Sequence, residues 1–223
     1  GNINDKFEDI NLDKIDIENL PELEKFMLSK MYFLNKKFET YFQKYDFHNL
    51  YKELLNFCTV DLSAFYFDIR KDALYCDPIN SEKRKSCVSI LNVLLKSLLR
   101  WFAPILSFTT EEIYQLVSKK SKSIHLEKFL KFPDKFKNQK NEKKWSELMK
   151  IRDVCNISIE EKRTSKEIGS SLEANLDINL NEKYKEIVRD IDLSELCIVS
   201  KANINFNKQS DILVETKKAS GNK

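Results

Sequence analysis

Glycine and proline are scarce in this sequence of 223 residues, which holds three of the first and four of the second. So few glycines leave little material for tight hairpins or for the glycine-rich loops that cradle phosphates. Leu, Lys, Glu and Phe are abundant instead, and such a composition is typical of long helices. Because 42% of the residues are hydrophobic, the chain can bury a core. The composition therefore predicts a mainly α fold.

The cysteines also exclude certain classes of protein. There are five of them, Cys58, Cys76, Cys87, Cys155 and Cys197, and none stands in a CxxC pair. An odd number at wide spacings disfavours both a disulfide framework and an internal zinc site. Unpaired cysteines fit a reducing compartment, so we expect a cytoplasmic protein.

Long uninterrupted apolar runs are missing as well. The most apolar stretch, "ILNVLLKSLLRWFAPILSF", is broken by Lys96, Arg100 and Pro104, so it falls short of the roughly 18 to 20 residues that span a bilayer. We therefore expect no membrane segment. The net charge of +3 is too small to indicate a polyanionic partner by itself, so the local distribution of charge has to decide.

Apolar residues at helical spacing predict several helices in the first part of the chain. The first runs over 21–44, and the second begins after an N-cap at Asp46 and continues past Ile69. Ser81 caps a third helix that ends near Pro104, and a fourth starts at Thr109 or Thr110. Short connections between such helices favour an antiparallel bundle over residues 1–140.

The pattern changes beyond the bundle. A lysine-rich loop is followed by a helix over about 141–166, and "SLEANLDINL" then alternates as a strand does. "EKYKEIVRDI" and "LSELC" are typical of short helices, whereas "IVSKANINF" and "DILVETK" are typical of strands. Residues 141–223 are thus predicted to form a helix and a small α+β subdomain.

The stretch "DLSAFYFDIRKDALYCD" is the most crowded with functional groups. Helical spacing assigns its apolar residues, Tyr66 among them, to the core, and we expect Arg70 and Lys71 to face solvent and to be replaceable at little cost to folding. Asp68 and Asp72 lie one turn apart, but the cations between them favour ion pairs over acid–base catalysis. Other aromatic residues, including Phe108, are assigned to the core.

No nucleotide-binding or metal site is predicted. "KKSKS", residues 119–123, differs by one residue from the "KMSKS" loop of class I aminoacyl-tRNA synthetases, but a solvated linker is the simpler interpretation. Neither His48 nor His125 has the glycine of the partner "HIGH" signature nearby, nor the spacing of a metal ligand set.

Basic residues at helix ends remain as the strongest functional signal. Such residues neutralise phosphates, so a structured RNA with an exposed loop is a natural partner. Taken alone, however, these basic residues are better explained as a solvated surface.

A longer pattern favours the RNA. "YDFHNLYKELLNFCTVDLSAFYFDIRKDALYCD" closely resembles the anticodon-binding helical domain of the isoleucyl-tRNA synthetases. "LLRWFAPILSFTTEEIY", "SIHLEKF", "IGSSLEA" and "LSELCIVS" follow in the order found in that family, so the resemblance spans essentially the whole chain. Valyl and leucyl enzymes share a looser pattern, whereas these forms resemble the bacterial-type isoleucine enzyme.

The resemblance implies a parent enzyme that activates isoleucine with ATP and magnesium and esterifies it to tRNA(Ile). The present region would hold the anticodon arm as a monomer, with no active site and no cofactor of its own. The ends, "GNIND" and "KKASGNK", resemble internal positions of the family, so we expect a fragment without the catalytic domain, the editing insertion and the terminal zinc module. An autonomous helical module that binds protein, the equivalent region of a valyl or leucyl enzyme, and activity within this chain stay open as alternatives.

The basic pattern and the resemblance together nominate residues for RNA contact. Lys71 stands first because it matches the lysine shared by the wider family pattern. In falling order, the expected contacts are Lys71, Arg70, Arg100, Trp101, Arg84, Lys85, Arg152 and Lys166.

Overall fold

The computed structural model describes residues 11–118, 122–208 and 212–220. The chain divides into two compact units, Gly1–Gln139 and Lys140–Lys223. The first is a helical bundle and the second is a small α+β unit, so the predicted fold class is confirmed.

The first unit is built from helices joined by short connections. They are α1 (Glu22–Gln43), α2 (Phe47–Asn56), a π-helical segment (Phe57–Phe67), α3 (Asp68–Tyr75), α4 (Glu82–Phe102) and α5 (Ser107–Val117). Two predicted caps are present: the Asp46 carboxylate accepts from the Asn49 N–H at 3.2 Å, and the Ser81 hydroxyl accepts from the Arg84 N–H at 3.4 Å. The fourth predicted helix begins at Ser107, slightly earlier than the sequence indicated.

The π-helical segment was not predicted. The apolar stripe indicated one uninterrupted α-helix from Asp46 past Ile69, whereas the structure widens it between Phe57 and Phe67. Phe57 and Leu62 are both buried although they stand five residues apart, a spacing that suits i→i+5 hydrogen bonds better than an α-helix. Burial of these side chains therefore accounts for the change in helix type.

Trp101 lies at the centre of the bundle core. Its ring meets Phe38 at a centroid distance of 5.0 Å and Phe57 at 6.0 Å, both nearly edge to face. Its indole N–H donates to the Asn35 side-chain oxygen at 2.9 Å. These contacts join α1, the π-helical segment and α4 in one packed cluster.

The second unit combines helices with a three-stranded sheet. Its elements are α6 (Gln139–Thr164), β1 (Ala174–Asn181), α7 (Lys185–Val188), α8 (Leu193–Cys197), β2 (Lys201–Asn207) and β3 (Leu213–Lys218). The strand order is β2–β1–β3, with β1 parallel to β2 and antiparallel to β3. Every second residue of β1 is buried, as the alternation in the sequence predicted. Within the described ranges, no helix is long and apolar enough to cross a bilayer.

Candidate nucleic-acid interface

A cleft of about 350 Å³ lies where α1 and α4 end. We call it the helix-end cleft. It is formed by the last turns of α1, the end of α4, the corner that follows α4, and the segment 124–129. Its lining residues are Glu39, Phe42, Gln43, Arg100, Ala103, Pro104, Ile124, His125, Glu127, Lys128 and Phe129.

The walls of the cleft are largely apolar and aromatic. Phe42 of α1 faces Phe129 across a centroid distance of 5.7 Å. The row of rings continues outward, because Phe42 also meets Phe47 at 5.9 Å and Phe47 meets Tyr45 at 6.4 Å. Tyr45 is 80% exposed, so this row runs from the cleft wall into solvent. Exposed rings of this kind contribute little to a core and provide surfaces on which planar groups stack.

Arg100 holds one side of the cleft together. Its guanidinium donates to the Glu127 carboxylate at 2.7 Å, to the Lys128 backbone oxygen at 2.8 Å and to the Lys96 backbone oxygen at 2.9 Å. The same Glu127 accepts from the Tyr114 hydroxyl at 3.0 Å. Arg100 was expected to contact RNA, but these bonds use the guanidinium to fasten segment 127–128 to α4.

Glu111 of α5 fixes the other side. Its carboxylate accepts from the Ser123 hydroxyl at 2.8 Å and from the Ile124 N–H at 2.9 Å. The Gln115 amide donates to the second oxygen at 2.7 Å. Hydrogen bonds from Gln115 and then Ser123 hold the pKa of Glu111 below its ordinary value, because they favour the charged carboxylate. Ile124, which lines the cleft, is thereby held in place.

The polar groups at the cleft combine both kinds of hydrogen-bonding partner. Glu39 and Gln43 stand one turn apart on α1 and present a carboxylate and an amide. Glu39 already accepts from Asn35 at 2.9 Å, and a carboxylate has further lone pairs to offer. His125 and Lys128 are exposed at the rim. Apolar walls, a polar edge and the Lys128 cation at the rim suit a planar heteroaromatic group that carries a phosphate.

Three of the predicted contact residues are buried, which corrects the sequence interpretation. Arg70 is 2% exposed and makes a two-pronged ion pair with Glu24, so the expectation that it faces solvent is wrong. Trp101 is fully buried in the core described above. Arg152, in the second unit, is 8% exposed, and its Nε donates to the Leu196 backbone oxygen at 3.0 Å. Arg70 follows Ile69, a residue of the apolar stripe, so helical spacing alone does not show whether its side chain faces the core or solvent. The ion pair with the buried Glu24 carboxylate turns it toward the core.

The remaining predicted contacts are accessible to different degrees. Lys71 and Lys85 are exposed and pair with Asp68 at 3.0 Å and Glu82 at 2.8 Å. Arg84 is half-buried and donates to the Asp77 backbone oxygen at 2.7 Å. These three flank the turn between α3 and α4, whereas Lys166 is exposed in the second unit.

Several features were missed or misplaced from the sequence. The cleft residues Phe42 and Gln43 and the exposed Tyr45 were not singled out, although "FQKYDF" places aromatic residues around a helix break. Phe108, assigned to the core, is 93% exposed. Residues 119–121 of the "KKSKS" string lie outside the described residues, and the structure describes no group of three or more metal-ligating side chains in the ranges it covers.

Residues 24–180 match the family described as the anticodon-binding domain of tRNA ligase. The chain belongs to this family. The matched range contains the whole helix-end cleft, and it also contains Lys71, Lys85 and Lys166.

Three relatives of the chain are isoleucine–tRNA ligases. Over its whole length the chain is 61% identical to an isoleucine–tRNA ligase from Pelagibacter ubique and covers 25% of that protein. It is 36% identical to the isoleucine–tRNA ligase of Agrobacterium fabrum over 95% of the chain, and 36% identical to that of Brachyspira hyodysenteriae over all of it. The chain spans about a quarter of the length of these relatives.

Proposed function

We propose that the chain binds the anticodon arm of tRNA(Ile) as the anticodon-binding region of an isoleucine–tRNA ligase. The observation that carries the proposal is the match of residues 24–180 to an anticodon-binding family, together with relatives that are isoleucine–tRNA ligases along the whole chain. The ligase joins isoleucine to its tRNA with ATP and magnesium, and this region supplies binding rather than chemistry.

In this proposal the helix-end cleft receives an unpaired base of the anticodon loop. RNA loops are recognised by splaying bases out, stacking them on aromatic rings and hydrogen-bonding their edges. Phe42 and Phe129 supply the rings, while Glu39 and Gln43 supply an acceptor and an amide for the base edge. The exposed Lys128 at the rim supplies a cation for the adjoining phosphate.

Lys71 and Lys85 contact the RNA backbone at a second place. Each is now held by an exposed carboxylate three residues away, and such pairs contribute little free energy, so phosphates replace them at small cost. Arg70 beside Lys71 bonds Glu24 near the start of α1, whereas the cleft lies at the end of α1. At 1.5 Å per residue the two places are about 25 Å apart, so they meet different parts of the RNA.

A direct titration tests the proposal. A fluorescent tRNA(Ile) anticodon stem–loop is titrated with the wild-type chain and with the F42A and Q43A variants. Loss of a stacked ring should weaken binding by about 1–3 kcal/mol. The matched control is L116A, which removes an apolar side chain from α5 outside the cleft; Leu116 is 80% exposed and Phe42 is 42% exposed. Equal affinities for F42A, Q43A and L116A would exclude the cleft, and no binding by any chain would exclude the function.

A further inference from the structure

Glu24, near the start of α1, is a carboxylate buried without any exposed surface. It accepts from the Arg70 Nε at 2.7 Å on one oxygen and from the Arg70 Nη2 at 2.7 Å on the other. The Tyr66 hydroxyl donates to the first oxygen at 3.1 Å. Glu24 therefore joins α1 to two residues of the long second helical stretch.

These two residues stand on opposite sides of a change in helix type. Tyr66 belongs to the last turn of the π-helical segment Phe57–Phe67, and Arg70 belongs to the first turn of α3, which begins at Asp68. At this junction the hydrogen-bond pattern changes from i→i+5 to i→i+4. A slip of one residue there would rotate every following side chain by about 100° around the helix axis. The Glu24 carboxylate thus binds one residue on each side of the junction between the π-helical segment and α3.

The phase of α3 determines where Lys71 points. The buried residues of α3 are Ile69, Arg70, Ala73 and Leu74. Since successive residues on an α-helix are about 100° apart, Lys71 falls on the opposite, exposed side. Buried ion pairs seldom add net stability, and their best-attested use is to fix register. We propose that Glu24 and Arg70 are positioning residues that set the helix phase after the π-helical segment and thereby direct Lys71 toward the RNA. This inference rests on the proposed function.

Replacing the whole pair separates positioning from folding. In E24M/R70M two apolar side chains of similar length take the place of the ions, a change that proteins often tolerate without loss of stability. We expect the double variant to bind the tRNA(Ile) anticodon stem–loop with a salt slope, d log K/d log[salt], that is shallower by about 0.7 to 0.9, as after loss of one phosphate contact. K71A should give the same reduction.

A thermodynamic cycle of E24M/R70M and K71A, measured by the salt slope of RNA binding, distinguishes positioning of Lys71 from a purely structural role. If the pair acts through Lys71, E24M/R70M should add no further reduction of the salt slope in the K71A background. Additive reductions, or a wild-type slope for E24M/R70M beside a reduced slope for K71A, would overturn the positioning role. A wild-type slope for K71A would also overturn it, because the pair would then direct no contact.

Hydrogen exchange tests the junction without RNA. Amides of residues 66–72 should exchange at least about tenfold faster in E24M/R70M than in wild type, relative to amides in the middle of α4, because local opening is no longer held by the pair. The matched control is E22M/K25M, which removes a more exposed pair, at 3.2 Å, from the same end of α1. Unchanged exchange in E24M/R70M would overturn the junction role, whereas a wild-type chain that binds no stem–loop would overturn the proposed function instead.

Discussion

Trp101 donates its indole N–H to Asn35 over 2.9 Å in a site where the two residues are 0% and 3% exposed. The Asn35 amide in turn donates to the Leu130 backbone oxygen at 3.0 Å and to Glu39 at 2.9 Å. Glu39 lines the helix-end cleft, so this relay ties the cleft to the core of the bundle. A residue nominated for RNA contact thus supports the candidate site from inside.

Replacing Trp101 with Phe should destabilise the first unit. The change leaves the buried Asn35 oxygen without its donor, at a cost of about 1–3 kcal/mol, and the smaller ring adds a packing loss. Urea unfolding followed by circular dichroism measures the difference in unfolding free energy. F108L alters an aromatic residue that is 93% exposed and should change the unfolding free energy by less than about 0.5 kcal/mol. A W101F variant as stable as wild type would contradict the buried hydrogen bond.

Replacing Tyr66 should separate its ring from its hydroxyl. The ring is fully buried, so Y66A should lower the unfolding free energy by about 3–5 kcal/mol. Y66F keeps the ring and loses the hydroxyl, which contacts Glu24 at 3.1 Å and the Cys87 sulfur at 3.5 Å, so about 1–2 kcal/mol is expected. The two variants are compared by urea unfolding. Equal losses would mean that the hydroxyl, rather than the packed ring, accounts for the effect.

Arg70 and Lys71 should respond to alanine in opposite ways. R70A leaves the Glu24 carboxylate buried without its cationic partner, which should cost about 3–5 kcal/mol of unfolding free energy. K71A removes an exposed side chain and should change it by less than about 0.5 kcal/mol. Thermal unfolding of both variants measures this. A stable R70A variant would restore the earlier interpretation that Arg70 faces solvent.

The cysteines should differ sharply in reactivity toward a thiol reagent at pH 8. Cys76 is exposed and should react at once. Burial raises the pKa of the Cys58 thiol, and it raises that of Cys87 to about 11, so neither forms the reactive thiolate readily at pH 8. Reaction with an aromatic disulfide reagent should give one fast thiol in the folded chain and five in denaturant. Rapid reaction of Cys87 would show that the bundle opens readily.

Much of the fold was predictable because it follows from periodicity and local capping. Asp46 and Ser81 stand at helix starts, and the alternation in β1 marks one buried face. The π-helical segment was not predictable, since it depends on which side chains the rest of the bundle buries. Phe57 and Leu62 are apolar in either type of helix.

The candidate site was predicted less well than the fold. Charge alone does not tell a phosphate-binding arginine from one that pairs with a buried carboxylate, as the burial of Arg70 demonstrates. The partner, Glu24, is 46 residues away in sequence, and only the packing of α3 against α1 brings the two together. The cleft likewise forms from segments far apart in the chain, so local patterns carry no sign of Phe42 facing Phe129.

Discrimination between anticodons tests the proposed function most directly. The wild-type chain is titrated, at one fixed salt concentration, with the tRNA(Ile) anticodon stem–loop and with the same stem–loop carrying a different anticodon. Since a well-placed set of hydrogen bonds to a base edge discriminates by about 1–3 kcal/mol, we predict at least about fivefold tighter binding of the isoleucine anticodon. Equal affinity for the two stem–loops, or no binding of either, would contradict it.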